Sequence, residues 1–577
     1  MPTPQVTWPS LRAEWRTVLP LFFWFAGAAV AVGAYRNVPV LDDWTYAWSV
    51  ERLLRDGRFE VLDWSAVYPL GAALWGTAWS WVFGFSFVTL RVSTLVLALV
   101  ACAALYFILR ELDAPPSLAR LGALSVAANP VFLLLSSSFM TDVPFVAFTL
   151  LALLCYMRAL RRGDARLLWW GGVWACASCI ERQIGILTPI AALPLLVSRP
   201  PLPRIARPAV ILALAVPWLV MLAGLIVLTS SMQPTGEMTK LTDRLGFLLQ
   251  IPLSTYVGYN LYVLTTSAFY ALPALLAMAA VSGIWRTRTV LIAAAAAAAI
   301  MLAFIGEIPV PLRPGNTWTL TEVGGSRALI NGGFAGADLS AVEAMLRAAG
   351  LAAAALMLLA VAGRGGVTIS TTVASYTSAF AGRWRAWAAS IAITPRTPLL
   401  VYLAGYLLLA NVLWMYNDRY LIVLLPVVTA LALGQAASMA RAPRVAWAAT
   451  AVFALVAIVG TRDAIRFNQA IRDSWQALVD SGVQPSDIDA GYAWTGWVLY
   501  AHPANLARGL TVKDVPWITS RRQTPYILSK TQLTGYDVAR VVAWHDDAPW
   551  PGPDRLLVLK RRASPPKATP GRLAPSE

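Results

Sequence analysis

Residues 18–47 read VLPLFFWFAGAAVAVGAYRNVPVLDDWTYA. The first part is an apolar run that follows Arg12 and Arg16. Its length suits a membrane helix, which needs ~20 apolar residues to cross the hydrocarbon core. Small residues at Ala29, Ala31, Gly33 and Ala34 would also suit a cleaved signal peptide. The long run, in a chain that continues as a membrane protein, favours an uncleaved first span. Directly after it stand Asp42 and Asp43. Carboxylates are costly near lipid, so an acidic pair at a membrane surface calls for a reason. From Trp44 onward, Trp44, Ala47, Trp48, Leu53 and Leu54 share one helical face, while Thr45, Arg52, Arg55 and Asp56 lie off it. That pattern predicts an interfacial helix with Trp at the headgroup level. A second surface helix is expected around Trp75, Trp79 and Trp81.

The rest of the chain extends this reading. Of its 577 residues, 58% are hydrophobic and 13% charged. Soluble domains are about 25% charged. The fold class is therefore an all-α polytopic membrane protein. Apolar runs mark about thirteen spans of near ~20 residues, at 18–35, 86–110, 117–135, 143–160, 167–181, 184–198, 208–229, 262–284, 288–306, 342–363, 398–416, 420–440 and 444–461. The net charge of +16 reflects arginines in the short loops and does not call for nucleic acid. Arg12 and Arg16, Arg158 to Arg166, Arg199 to Arg207, Arg286 and Arg288, Arg383 to Arg396, and Arg441 and Arg444 all fall on one side. By the positive-inside rule that side is cytoplasmic, with the N-terminus on it. The expected location is the plasma (inner) membrane, with the loop at 36–85 and the C-terminal tail outside.

Three segments depart from plain spans. Residues 167–198 form one apolar stretch broken by Glu181-Arg182-Gln183. Each half is about 15 residues, or roughly 22 Å of helix, short of a ~30 Å core. The charged turn should then lie within the outer half of the membrane and needs a cavity or a partner. Residues 462–562 turn polar, with a helix expected at 463–482 and strands at 487–494, 524–528, 537–544 and 555–560. They read as a small exterior α/β domain after a membrane domain at 1–461. The Pro-, Lys- and Ser-rich tail at 563–577 reads as disordered. Cys102, Cys155, Cys176 and Cys179 all lie in apolar spans, where packing is the better explanation than redox chemistry. The two histidines, His502 and His545, are both near the C-terminus, so a His-based metal site or triad within the membrane region is excluded.

The residues with chemical potential cluster on the exterior side. One Asp would cap the helix after Asp42-Asp43, but a cap needs only one. The other can act on a substrate, because a loop carboxylate facing a cavity can reach a hydroxyl. Asp142 opens the fourth span, either as an N-cap with Pro144 in the first turn or as a second site carboxylate. Arg91, Arg182 and Arg419 are the complementary cations, suited to bidentate phosphate contact. The simpler alternatives are a pair with Glu181 for Arg182, and a snorkelling anchor or a pair with Asp418 for Arg419.

In this order these residues resemble the GT-C superfamily of polyprenyl-phosphate-sugar glycosyltransferases, which includes protein O-mannosyltransferases and the aminoarabinose and galacturonic acid transferases of lipid A. The resemblance covers most of residues 18–440. It rests on Leu41-Asp42-Asp43-Trp44-Thr45-Tyr46-Ala47, on Tyr68-Pro69-Leu70, and on the step from Phe83-Gly84-Phe85 to Arg91. Asp142, Arg182, Arg419-Tyr420-Leu421 and Pro426 continue the match. This chain departs from the family in having Asp as the second acid rather than Glu, and Arg182 where many members carry Lys. The resemblance implies that Asp42 deprotonates an acceptor hydroxyl, which displaces a polyprenyl phosphate with inversion. Asp43 and Asp142 are further candidate catalytic groups. Tyr46, Arg91, Arg182, Arg419 and Tyr420 are candidate substrate contacts. The partners implied are a polyprenyl-phosphate-sugar donor, a lipid, glycan or protein acceptor, and the bilayer. No cofactor is expected. Exterior carboxylates without His fit a tight zinc site poorly, though they are compatible with a divalent metal. A transporter or lipid flippase is the rival reading. Such proteins usually place ionisable groups near the membrane midplane within paired repeats, which this sequence lacks.

Overall fold

The computed structural model describes residues 11–62, 65, 68–194, 207–231, 246, 250–280, 350–357, 394–413, 418–509, 524–543 and 555–562. These are mostly helical. Helix α1 (Leu11–Val32) leads through residues 33–42 into α2 (Asp43–Asp56) and α3 (Leu70–Phe83). Gly84, at φ 80°, ends α3 in a backbone conformation that glycine adopts without steric cost. Ser86 then starts α4 (Phe87–Glu111) by accepting the Thr89 N–H. Helix α7 (Asp142–Arg162) closes at Gly163, in the left-handed conformation usual after a helix C-terminus.

Proline divides two of the expected spans. The run at 117–135 folds as α5 (Pro116–Ala127) and α6 (Pro130–Ser136), bent by 66°. Pro130 supplies no N–H to the helix before it, and Asn129 caps α6 through the Val131 and Phe132 N–H groups. The run near 262–284 is likewise α11 (Leu253–Tyr270) and α12 (Leu272–Ala279), bent by 76° at Pro273. Among the described residues four helices are long and apolar enough to cross a membrane, or six if each bent pair is one span. The ninth expected span, 288–306, lies outside the described residues, and the tenth, 342–363, is described only at 350–357.

Helix α8 (Ala165–Glu181) forms as expected, but the predicted helix at 184–198 does not. A 3-10 turn at Gln183–Ile186 and a four-residue helix, α9 (Leu187–Ile190), take its place up to residue 190. Helix α10 (Arg207–Ser231) follows and packs against α8. Helix α13 (Thr397–Leu413) precedes a 3-10 turn at Asp418–Val423, which runs into α14 (Leu424–Gln435).

The last span and the helix expected at 463–482 are one continuous element, α15 (Arg444–Asp480). Its 37 residues contain no proline, and at 1.5 Å per residue they extend roughly 55 Å. Its polar second half packs Ile471 and Trp475 onto a four-stranded sheet of order β1-β2-β4-β3. The strands are β1 (Ile488–Asp489), β2 (Tyr526–Ser529), β3 (Tyr536–Ala543) and β4 (Arg555–Arg561). β1 and β2 are parallel, the other pairs antiparallel, with an irregularity between Val538 and Arg540. The first strand is shorter than predicted. Residues Gly491–Thr495 are helical (α16) and continue through a π-helical turn at Gly496–Tyr500.

The predicted interfacial helix needs correction too. Trp44 is fully buried rather than at a headgroup level, and Thr45, expected off the apolar face, is buried beside it. What covers Trp44 is the α16 region: Trp44 makes edge contacts with Tyr492 and Tyr500, and Gly496 packs on its indole. Trp81, by contrast, is 83% exposed at the end of α3.

Candidate active site

Leu41 sets the geometry at the start of α2. Its φ is +60°, a region that costs an ordinary L-residue of order 1–2 kcal/mol. The turn sends Asp42 and Asp43 into different surroundings. Asp42 occupies the N-cap position, yet its side chain makes no capping bond. Asp42 Oδ2 instead pairs with Arg419 Nη1 at 2.6 Å, and Oδ1 accepts from the Tyr492 hydroxyl at 2.7 Å. Its side chain is 27% exposed.

Asp43 turns inward and is 1% exposed. Its Oδ1 accepts the Val40 N–H at 2.8 Å and its Oδ2 the Phe139 N–H at 3.4 Å, tying α2 to the segment before α7. Burial pushes its carboxyl up to about 7, against the opposing pull of Arg91 and the two N–H groups. Arg91 is also sealed inside, at 0% exposure. Its guanidinium donates to the Ala34, Arg36 and Val38 carbonyls, each at 2.8 Å. Arg91 therefore stitches the α1–α2 connection onto α4.

Opposite Asp42 is a second acid–base pair. Asp142 is the first residue of α7, and its Oδ1 meets Arg182 Nη1 at 2.6 Å. Arg182 takes Asp142 rather than the Glu181 that the sequence suggested, and the Arg419 guanidinium reaches Asp42. Among the described residues Asp142 Oδ2 has no hydrogen-bond partner. The Glu181 carboxylate lies against Gly71 and Ala72, in the first turn of α3. Free N–H groups at a helix start favour an anion there.

Tyr420 links the two halves. The Arg182 and Arg419 guanidinium carbons sit 5.1 and 5.3 Å from its ring centroid, within cation–π range. Its backbone is fixed from two sides. Tyr406 donates its hydroxyl to the Tyr420 carbonyl. Buried Asp418 accepts the Arg419 N–H and the Tyr270 hydroxyl, at 3.0 and 2.8 Å. Tyr46 is buried one turn along α2, in the field of Arg419, Asp42, Arg182 and Asp142, and burial raises its phenol well above its ordinary value.

Of the residues singled out from sequence, Asp42, Tyr46, Asp142, Arg182, Arg419 and Tyr420 converge. Asp43 and Arg91 lie in the framework beside them. Sequence reasoning missed Tyr492, which arrives from α16 some 450 positions after Asp42. The aromatic run Gly491-Tyr492-Ala493-Trp494 was its only sign. Next to Tyr492, His502 Nε2 meets Glu51 at 2.8 Å, and Arg472 Nη1 donates to the Asn37 carbonyl at 3.1 Å. Three polar contacts thus pin the C-terminal region onto the α1–α2 segment. No group of three or more His, Cys, Asp and Glu residues that could hold a metal occurs among the described residues.

Residues 69–230 match the family described as dolichyl-phosphate-mannose-protein mannosyltransferase, one of the kinds of protein that the sequence motifs resemble. The matched stretch contains Arg91, Asp142 and Arg182. No curated protein matches the chain. Among solved structures, ArnT from Cupriavidus metallidurans bound to undecaprenyl phosphate is 12% identical, with a TM-score of 0.38, over 95% of this chain and 98% of that one. The archaeal oligosaccharyltransferase AglB from Archaeoglobus fulgidus, in complex with an inhibitory peptide and a dolichol-phosphate, is 12% identical, with a TM-score of 0.36, over 82% of this chain and 58% of that one.

Proposed function

We propose that this protein is a membrane glycosyltransferase that moves a sugar from a polyprenyl-phosphate donor to an acceptor hydroxyl on the exterior side, with inversion. The observation that carries the reading is Asp42. It is a half-buried carboxylate at a helix start that caps nothing and is held by an arginine beside a second Asp–Arg pair. The family match supports a lipid-phosphate sugar as donor.

In this mechanism Asp42 takes the proton from the acceptor hydroxyl, whose oxygen attacks the anomeric carbon from the face opposite the phosphate. The bond to the phosphate oxygen breaks and its electron pair leaves with the polyprenyl phosphate. A phosphate is a stable anion, so no general acid has to protonate the leaving group. Arg182 and Arg419 stabilise the charge that develops on it. A guanidinium carries five donors, so one bond to a carboxylate leaves room for bidentate phosphate contact. Tyr420 holds the two guanidinium planes apart, and Tyr46 completes the floor. Asp142 orients Arg182 and is a second candidate catalytic carboxylate. Asp43 and Arg91, drawn from sequence as a catalytic group and a substrate contact, serve here as supports for the loop that carries Asp42.

Residues 1–461 form the membrane catalytic domain in this reading. Residues 462–562 form an exterior domain over it, with the N-terminus cytoplasmic in a plasma (inner) membrane. The acceptor is a lipid, glycan or protein bearing a hydroxyl. The test is mass spectrometry of polyprenyl-phosphate lipids in cells that carry the gene, lack it, or carry only Asp42→Asn. Build-up of one polyprenyl-phosphate sugar in both altered strains identifies the donor. An unchanged lipid pool in both counts against a transferase and favours a transporter.

A further inference from the structure

Tyr492 occupies a particular place on Asp42. The carboxylate has one oxygen on Arg419 and the other on the Tyr492 hydroxyl, at 2.6 and 2.7 Å. An acceptor hydroxyl needs the same kind of contact, an O–H within ≈ 2.6–3.2 Å of the base. Water can make that contact as well, and Asp42 is exposed enough for water to reach it. A base that activates water would hydrolyse the donor instead of transferring its sugar. Tyr492 cannot take the water's part, because its neighbours hold the segment that carries it and leave only its hydroxyl's bond to Asp42 to be exchanged for an acceptor's. Its ring packs edge-on against buried Trp44. Gly496 closes on the same indole, and His502 binds Glu51 of α2.

We infer that Tyr492 is a guard on Asp42, holding the acceptor's position until the acceptor displaces it and so suppressing hydrolysis of the donor. The inference rests on the reading of Asp42 as the base. The reaction it suppresses is complete with water alone. Asp42 takes a proton from water, the water oxygen bonds to the anomeric carbon, and the bond from that carbon to the phosphate oxygen breaks. Free sugar and polyprenyl phosphate result, and Asp42 releases its proton to solvent. Tyr492 acts through Asp42 and is a positioning residue. In Tyr492→Phe the ring still packs on Trp44, while the missing hydroxyl leaves space for a water beside Asp42.

The experiment uses the purified full-length protein with an envelope extract from cells lacking the gene, which supplies both the polyprenyl-phosphate donor and the acceptor. Free sugar and polyprenyl phosphate are both quantified, and their ratio is the readout. A guard predicts a ratio near zero for the parent and at least tenfold higher for Tyr492→Phe. It also predicts no free sugar from the Asp42→Asn/Tyr492→Phe double variant. Total polyprenyl phosphate released corrects for any loss of folded protein, because a merely structural tyrosine would lower both products together. A Tyr492→Phe ratio equal to the parent's overturns the guard while leaving Asp42 as the base. Free sugar from the double variant at the level of Tyr492→Phe overturns Asp42 as the base and the guard with it.

Discussion

Asp42 and Asp43 are neighbours in the chain, yet they belong to two different regions of the molecule. The Asp43 region is sealed. Both its oxygens accept backbone N–H groups, and neighbouring Arg91 donates to three carbonyls. The Asp42 region is open on one side, and its partners, Arg419 and Tyr492, are side chains from two separate parts of the chain. Bonds to backbone are what a framework needs, since they hold segments in register. Side-chain pairs at a half-exposed carboxylate can be exchanged for a ligand without unfolding anything. The burial and the partner type separate two adjacent aspartates that composition alone treats as equals.

The sharpest way to break this comparison is to neutralise each aspartate in turn. Asp42→Asn is expected to cut transfer by on the order of 10²–10⁴-fold, the usual worth of a general base, with thermal stability close to the parent's. Asp43→Asn is expected to keep transfer and to change how stability depends on pH. The Asp43 carboxyl is raised in the folded protein to about 7 from an ordinary 3.8. A raised acid favours the folded state fully below its unfolded value and loses that contribution as pH climbs to the folded value. Parent stability should therefore decline between about pH 4 and 7 by a component that Asp43→Asn lacks. Thermal unfolding of both proteins across that range checks it. An identical pH slope would remove Asp43 from the buried framework.

A smaller effect is expected at the phosphate side. Arg182→Ala should weaken donor binding by roughly tenfold to a hundredfold, the worth of a charge-assisted contact of about 1.5–3 kcal/mol. Acceptor affinity should change little. Equal donor affinity in variant and parent would take Arg182 out of that role.

Next comes the seam between the C-terminal region and α2. A Cβ at Gly496 would lie 2.6 Å from the Trp44 ring, so either the indole or the π-helical turn has to move. Gly496→Ala is expected to destabilise by about 1–3 kcal/mol, as overpacking does, and to loosen the Tyr492 contact. Limited proteolysis of this seam should then cut the variant faster than the parent.

The smallest effect belongs to His502 and Glu51. The pair raises the imidazole above its ordinary 6.5 and lowers the carboxyl below its ordinary 4.5. A raised His contributes fully below 6.5 and loses its contribution as pH rises through its folded value. A lowered Glu contributes fully above 4.5 and loses its contribution as pH falls through its folded value. The charged pair is therefore complete between those values and weakens on either side. Both groups are 27% exposed, so solvent screens the gain. His502→Gln should flatten the decline of stability above pH 6.5, read by the same unfolding scans.

The mostly helical, apolar character of the chain was legible because apolar runs near the membrane thickness carry a strong signal. What failed was the internal shape of individual runs. Pro130 and Pro273 bend two of them, and the run after Arg182 coils into short turns that periodicity cannot distinguish from a helix. The boundary between the last span and the helix after residue 461 was invisible for the opposite reason, since nothing in that stretch stops a helix. At the site, unlike charges at membrane depth pointed to Asp42, Asp142, Arg182 and Arg419, because each costs too much there to lack a partner. Which charge pairs with which could not be read, as Asp42–Arg419 spans 377 positions. Tyr492 carried no charge to draw attention. Trp44 was misplaced because an indole suits a lipid headgroup and a protein interior equally well.

The most direct test of the central claim is polyprenyl phosphate release by purified parent, Asp42→Asn and Asp43→Asn proteins supplied with an envelope extract that holds both donor and acceptor, with donor binding measured alongside. The expected result is turnover by the parent and Asp43→Asn, with Asp42→Asn binding donor and releasing nothing. Turnover by Asp42→Asn at the parent rate, with Asp43→Asn silent, would contradict it.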